Sequence, residues 1–179
     1  MSELMKAVRR LQPGKGTRDG DIAIECFKAL ASEPGSALQP LLDFFNECVS
    51  KKSFPREWTT ARVVMIFKKK DSADCENYRP ICLLAVAYRI LTSMLKQRLL
   101  DAGTDALLWK SQFGFRHARS TADAIYVARR RTELACAQRS GQVSLLALDW
   151  RRAFDCINIE SLLDALRRFG IPPTVHREH

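Results

Sequence analysis

The sequence predicts a mixed helix–strand fold, of α/β or α+β class, with roughly one domain's worth of chain. Three observations predict it. Two short β-rich runs, Arg62–Phe67 and Val143–Leu148, lie among longer stretches with helical apolar spacing. Segments rich in glycine and proline punctuate the chain between them. Of the 179 residues, 46% are hydrophobic and 27% charged, which is globular composition. A fully disordered, collagenous or simple-repeat chain is excluded.

Residues 1–50 read as a helical lead-in. Pro13 with Gly14, Gly16 and Gly20 marks a flexible loop. A helix is expected over Asp21–Leu30, with Asp21 able to cap it. After the turn-rich Ser32–Ser36, the spacing of Leu38, Leu41, Leu42, Phe45 and Val49 predicts another helix. Composition shifts at Lys51, which opens the second segment, residues 51–179. Between Lys51 and Lys70 stand seven Lys or Arg and one acid, Glu57. Arg62–Phe67 predicts a strand there, and Asp71–Asn77 a turn.

Leu83–Leu100 carries an apolar stripe of Leu84, Ala87, Leu91, Leu95 and Leu99, which predicts a helix ended near Gly103. A further helix is expected over Thr121–Arg139, opened by Ser120 and Asp123 as a capping box. Val143–Leu148 is apolar throughout, the pattern of a central strand buried on both faces. A last helix should start at Ile159 behind Asn158 and end at Gly170, with Pro172 beyond.

The net charge of +9 points to a polyanionic partner, nucleic acid first. The longest apolar run, Ile81–Tyr88, is eight residues, far below the ~20 needed to span a bilayer. The N-terminus carries no signal-peptide core, so an intracellular location, nucleus or cytoplasm, is expected rather than secretion. The six cysteines follow no zinc or redox spacing and read as free buried thiols.

Chemistry concentrates at Leu148–Asp155. An acid closing a buried strand needs compensation. A divalent cation would supply it, and so would Arg151 or Arg152; a solvated or salt-bridged Asp149 is the plainer alternative. Asp149 with Ala153-Phe154-Asp155 resembles motif A of reverse transcriptases of the non-LTR retrotransposon (LINE-type) family. Other blocks follow in that family's order. Phe54-Pro55 with Trp58 resembles its P-x-x-W. Ile66–Asp71 resembles I-P-K-K-G-D, with Phe67 for the proline and Lys70 for the glycine. Asn77–Leu84 is close to N-Y-R-P-I-S-L-L, and Gln112–Arg116 with Arg119-Ser120-Thr121 matches Q-F-G-F-R-x-x-R-S-T. Leu166, Gly170 and Pro172 resemble the segment after motif A. Gly14-Lys15 and Asp19-Gly20 resemble the upstream G-K-A-x-G-x-D-G loosely.

The resemblance implies an α+β, partial right-hand polymerase fold: fingers and the beginning of the palm, truncated before motif C and thumb. It implies an RNA-directed DNA polymerase using two Mg²⁺, an RNA template, a DNA primer and deoxynucleotide triphosphates. Asp149 and the backbone carbonyl of Trp150 would be metal ligands, with Asp149 catalytic. Lys68 or Lys69 and Arg79 would meet the incoming triphosphate, with a solvated strand end as the alternative for the lysines. Phe154 would gate the sugar or be a plain core aromatic. Gln112, Gly114, Phe115 and Arg116 would contact nucleic acid, with a close backbone approach at Gly114. Asp155 would be structural. The sequence contains no Asp-Asp pair for motif C, so this chain alone is expected to be inactive. A basic nucleic-acid-binding module, or an inert retroelement relic, is the other reading.

Overall fold

The computed structural model describes residues 1–33, 35, 37–150 and 153–171. The chain divides into two compact units between Leu99 and Leu100.

The first unit contains α1 (Ser2–Arg10), α2 (Ile24–Ser32), α3 (Gln39–Lys51), β1 (Arg62–Phe67), β2 (Tyr78–Leu83) and all but the end of α4 (Val86–Asp101). Its core is helical. Leu4, Ala7 and Val8 of α1 meet Ile24, Phe27 and Ala31 of α2, Phe45 of α3, and Val86, Ile90, Leu91 and Met94 of α4. Each set recurs at three- and four-residue intervals, so one face of each helix is buried. Burying a side chain such as Leu4, Ile24, Phe45 or Ile90 contributes roughly 1.5–3 kcal/mol.

Trp58 extends this core. Its ring lies 5.5–6.2 Å from those of Tyr88, Phe44, Phe54 and Phe45. The aromatic contacts fix the chain entering β1.

β1 and β2 form a two-stranded antiparallel sheet with Val64 opposite Ile81 and Ile66 opposite Arg79. β1 has the expected bounds. β2 occupies the stretch where the Leu83–Leu100 helix was expected to begin, so α4 starts three residues later. Its stripe is correspondingly rotated onto Val86, Ile90, Leu91 and Met94, with Ala87 and Leu95 only partly buried. Gly103 takes the left-handed φ of +84° expected after the helix.

The loop expected to be flexible is instead tethered. The Gly14 N–H donates to Glu25 Oε1 at 2.7 Å, Arg18 donates to the Glu57 carbonyl at 2.6 Å, and Asp19 pairs with Arg62. Asp21 does not cap α2, whose N-cap is Ala23; it accepts from the Val86 N–H at the start of α4.

The second unit carries α5 (Thr121–Cys136) and α6 (Ile159–Arg168). Both start as the sequence predicts. Ser120 Oγ accepts from the Asp123 N–H while Asp123 accepts from the Ser120 N–H, and Asn158 caps α6 through the Ser161 N–H. α5 stops at Cys136, short of the expected Arg139. A Cβ on Gly141, in the turn that follows, would collide with the Ala135 carbonyl.

The expected central strand is absent. Residues 141–150 pair with no strand among the described residues, and Leu145 and Leu146 are each 79% exposed. A strand exists only where a neighbour takes its N–H and C=O groups. Among this unit's described residues only Ile171 is buried. The cysteine expectation also fails in part: all six are free, but only Cys48 is buried.

Candidate active site

The expected site residues fall into two sets, one in each unit.

In the first unit, the loop between β1 and β2 is locked by its own side chains. The Lys68 N–H donates to the Asn77 carbonyl at 2.8 Å. Asn77 is buried, and its amide donates to the Asp71 carbonyl at 2.8 Å. The Tyr78 hydroxyl donates to the Ser72 carbonyl at 2.9 Å, and the Tyr78 ring lies 5.4 Å from Phe67. Asp71 and Asp74 accept from the backbone N–H groups of Ala73 and Glu76. Asn77 and Tyr78 therefore hold the loop, and Arg79 is the exposed member of Asn77-Tyr78-Arg79-Pro80.

Strand alternation puts Arg79 on the face of Ile66, with Lys68 one step past the strand end on the same side. Lys68, Lys69 and Arg79 are exposed, and no carboxylate pairs with them among the described residues. Lys70 sits at φ +78°, where the resembling pattern has glycine.

In the second unit, Arg116 is committed to the protein. Its side chain is 11% exposed and grips the Asp105 carboxylate at 2.7 and 3.0 Å. It also donates to the backbone carbonyls of Asp105 and Trp109. The guanidinium holds the Asp105 carboxyl below its ordinary range, and Asp105 in turn raises Arg116. Gln112 donates across the turn to the Gly114 carbonyl at 3.2 Å. A Cβ on Gly114 would meet only that Gln112 amide, at an ordinary 3.6 Å. Nothing inside the described residues demands glycine there.

Phe115 is 92% exposed at φ +61°, and its ring stands edge-on to Phe154 at 6.1 Å. The structure thus joins two aromatics that the sequence assigned to separate tasks. Phe154 is 75% exposed, so it is not a plain core aromatic. Arg119, held over the Phe113 ring at 5.8 Å, was not singled out. Nor was Asp105, because an acid eleven residues ahead of its arginine leaves no periodic trace.

Asp149 is exposed in the extended 141–150 segment, and Trp150 is 78% exposed. The expectation that a buried strand aims the carboxylate is overturned for the described residues. Asp155 is likewise exposed. Arg151, Arg152 and Pro172 lie outside the described residues. Among the described residues no three His, Cys, Asp or Glu side chains cluster as a metal site. One carboxylate with one carbonyl does not make a two-ion centre.

Comparison with known proteins bears on these residues. The sequence model of a family described as reverse transcriptase (RNA-dependent DNA polymerase) matches residues 67–178. The chain is 29% identical over 163 residues to a putative 115 kDa protein in the type-1 retrotransposable element R1DM of Drosophila melanogaster, covering 90% of this chain and 15% of that protein. It is 28% identical to a retrovirus-related Pol polyprotein from the type-1 retrotransposable element R1 of Bradysia coprophila, covering 91% and 16%. It is 30% identical to the RNA-directed DNA polymerase from the mobile element jockey of Drosophila melanogaster, covering 80% and 16%. The chain thus spans about 15–16% of the length of these relatives.

Proposed function

Because the chain belongs to the reverse transcriptase family, alongside polymerases of non-LTR retrotransposons, we propose that it supplies the fingers and the opening of the palm of an RNA-directed DNA polymerase. The family match over residues 67–178 carries this reading. The rigid β1–β2 loop supports it, because it presents cations without carboxylate partners. Lys68, Lys69 and Arg79 meet the triphosphate of the incoming nucleotide, where Arg79 can engage phosphate oxygens with its planar fork. Phe154, braced by Phe115, lies against the sugar. Gln112 and Arg116 shape the turn that offers Phe115 to the template.

Asp149 and the Trp150 carbonyl are ligands of the two Mg²⁺ of nucleotidyl transfer, completed by an acidic element outside these residues. The donor set described here does not hold two ions unaided, and no catalytic step is assigned to this chain alone. Primer extension on an RNA template with Mg²⁺ tests the reading. This chain should yield no product, and the same chain continued through a palm with a second acidic motif should extend the primer. Extension by the short chain, or inactivity of a folded longer one, contradicts it.

A second reading, nucleic-acid binding without catalysis, is favoured by the +9 net charge. No helix among the described residues is long and apolar enough to cross a membrane.

A further inference from the structure

A groove of about 760 Å³ opens in the first unit between the Arg10–Gly16 segment and the β-hairpin. Ile66, Ile81 and Leu83 line it with aliphatic surface, and Arg10, Lys15 and Arg89 supply three positive charges. No Asp or Glu lines it. Arg10 donates to the neutral Gln97 amide oxygen, which leaves its charge uncompensated. Among the described residues no carboxylate pairs with Lys15 or Arg89. Arg79 adds a fourth cation on the same strand face as Ile66.

Clustered cations without counter-charges repel one another, and a polyanion relieves that repulsion. The aliphatic lining narrows the choice of polyanion. A duplex offers such a surface only phosphates and sugars, whereas an unpaired strand also offers base faces that apolar surface can cover. We propose that this groove is a binding site for single-stranded nucleic acid, with phosphates on Lys15 and Arg89 and a base against Ile81 and Leu83. The proposal rests on the nucleic-acid-binding reading above and is independent of Asp149. The tethers of the Gly14–Gly20 loop to Glu25, Glu57 and Arg62 hold Lys15 at the groove before any ligand arrives.

The test measures fluorescence polarisation of a labelled polyuridylate of about 15 nucleotides. It uses the full chain in buffer free of divalent metal, so the outcome does not depend on Asp149. The expectation is salt-sensitive binding by the unaltered chain. Replacing Lys15→Ala together with Arg89→Ala should weaken it about tenfold per cation. The same change should flatten the log–log salt slope by roughly 0.7 for each cation removed. Arg89→Lys should retain most of the affinity. Arg130→Ala with Arg131→Ala on α5 removes equal charge and should leave binding nearly unchanged. Equal losses from the two double variants would show diffuse binding and overturn the groove. So would no binding at all, or equal affinity for a duplex of the same length.

Discussion

The carboxylate of Asp21 accepts the backbone N–H of Val86 at 2.8 Å, a bond spanning 65 positions. It also takes the N–H of its own neighbour, Ile22, at 2.9 Å. The first N–H groups of a helix have no partner within it, and the N-terminal loop supplies one for α4. The same bond fixes where the loop carrying Lys15, Arg18 and Asp19 leaves the α4 face. Asp21→Ala should therefore destabilise the first unit by about 1 kcal/mol, while Asp21→Asn, which keeps the acceptor, should cost far less. Urea titration followed by far-UV circular dichroism reads both. Equal losses in the two variants would deny the capping role.

Lys70 holds a left-handed backbone, at φ +78°, in the β1–β2 turn. A side chain there costs roughly 1–2 kcal/mol, and glycine avoids the clash. Lys70→Gly should stabilise the first unit by about 1 kcal/mol net of glycine's unfolded-state freedom. A loss of stability in the same urea titration would mean that the Lys70 side chain makes a compensating contact.

The Asp105–Arg116 pair predicts an acid-sensitive turn. Asp105 has its carboxyl depressed by the Arg116 guanidinium from the ordinary value of 3.8. A depressed carboxyl stabilises fully above its unfolded value, and that stabilisation is lost as pH falls through the folded one. Residues 105–116 should keep their structure down to about pH 4 and loosen below it. In Asp105→Asn the turn should be loose at neutral pH and show no further acid step. Backbone NMR shifts of Gln112 and Phe115 distinguish these outcomes.

Residues 141–150 expose Leu145, Leu146, Leu148 and Trp150, each at least 70% accessible. Apolar surface of this extent invites association. Chymotrypsin should cut in this segment before it cuts within residues 1–99, whose apolar side chains form a packed core. Leu145→Lys with Leu146→Lys should raise solubility without moving the melting transition of the first unit. First cleavage inside α4 would contradict this order.

What the sequence disclosed follows from the range of the interactions involved. β1, the α5 capping box and the Asn158 cap depend on neighbours a few residues away, and all three stand where the residues predict them. β2 was hidden because Pro80 lies inside it, and proline argues against a strand unless an edge accommodates it. Val143–Leu148 has strand composition, yet its state depends on a partner that no local pattern specifies. The bonds of Asp21 to Val86 and of Arg18 to Glu57 link segments 65 and 39 positions apart, beyond any periodicity. At the candidate site, the exposed cations Lys68, Lys69 and Arg79 were legible as residue types. The commitment of Arg116 to Asp105 was not, since side-chain identity does not reveal which donors the fold consumes.

The central claim is that Asp149 is the catalytic carboxylate and Asp155 is not. Primer extension by this chain continued through a palm with a second acidic motif tests it most directly, with Asp149→Ala and Asp155→Asn measured side by side. Losing a metal ligand removes several kcal/mol of transition-state stabilisation, which is orders of magnitude in rate. Asp149→Ala should abolish extension while template affinity and melting temperature hold. Asp155→Asn keeps the side-chain shape and an acceptor oxygen, so measurable extension should persist. Robust synthesis by the Asp149→Ala enzyme would contradict the assignment and the placement of the metal site with it.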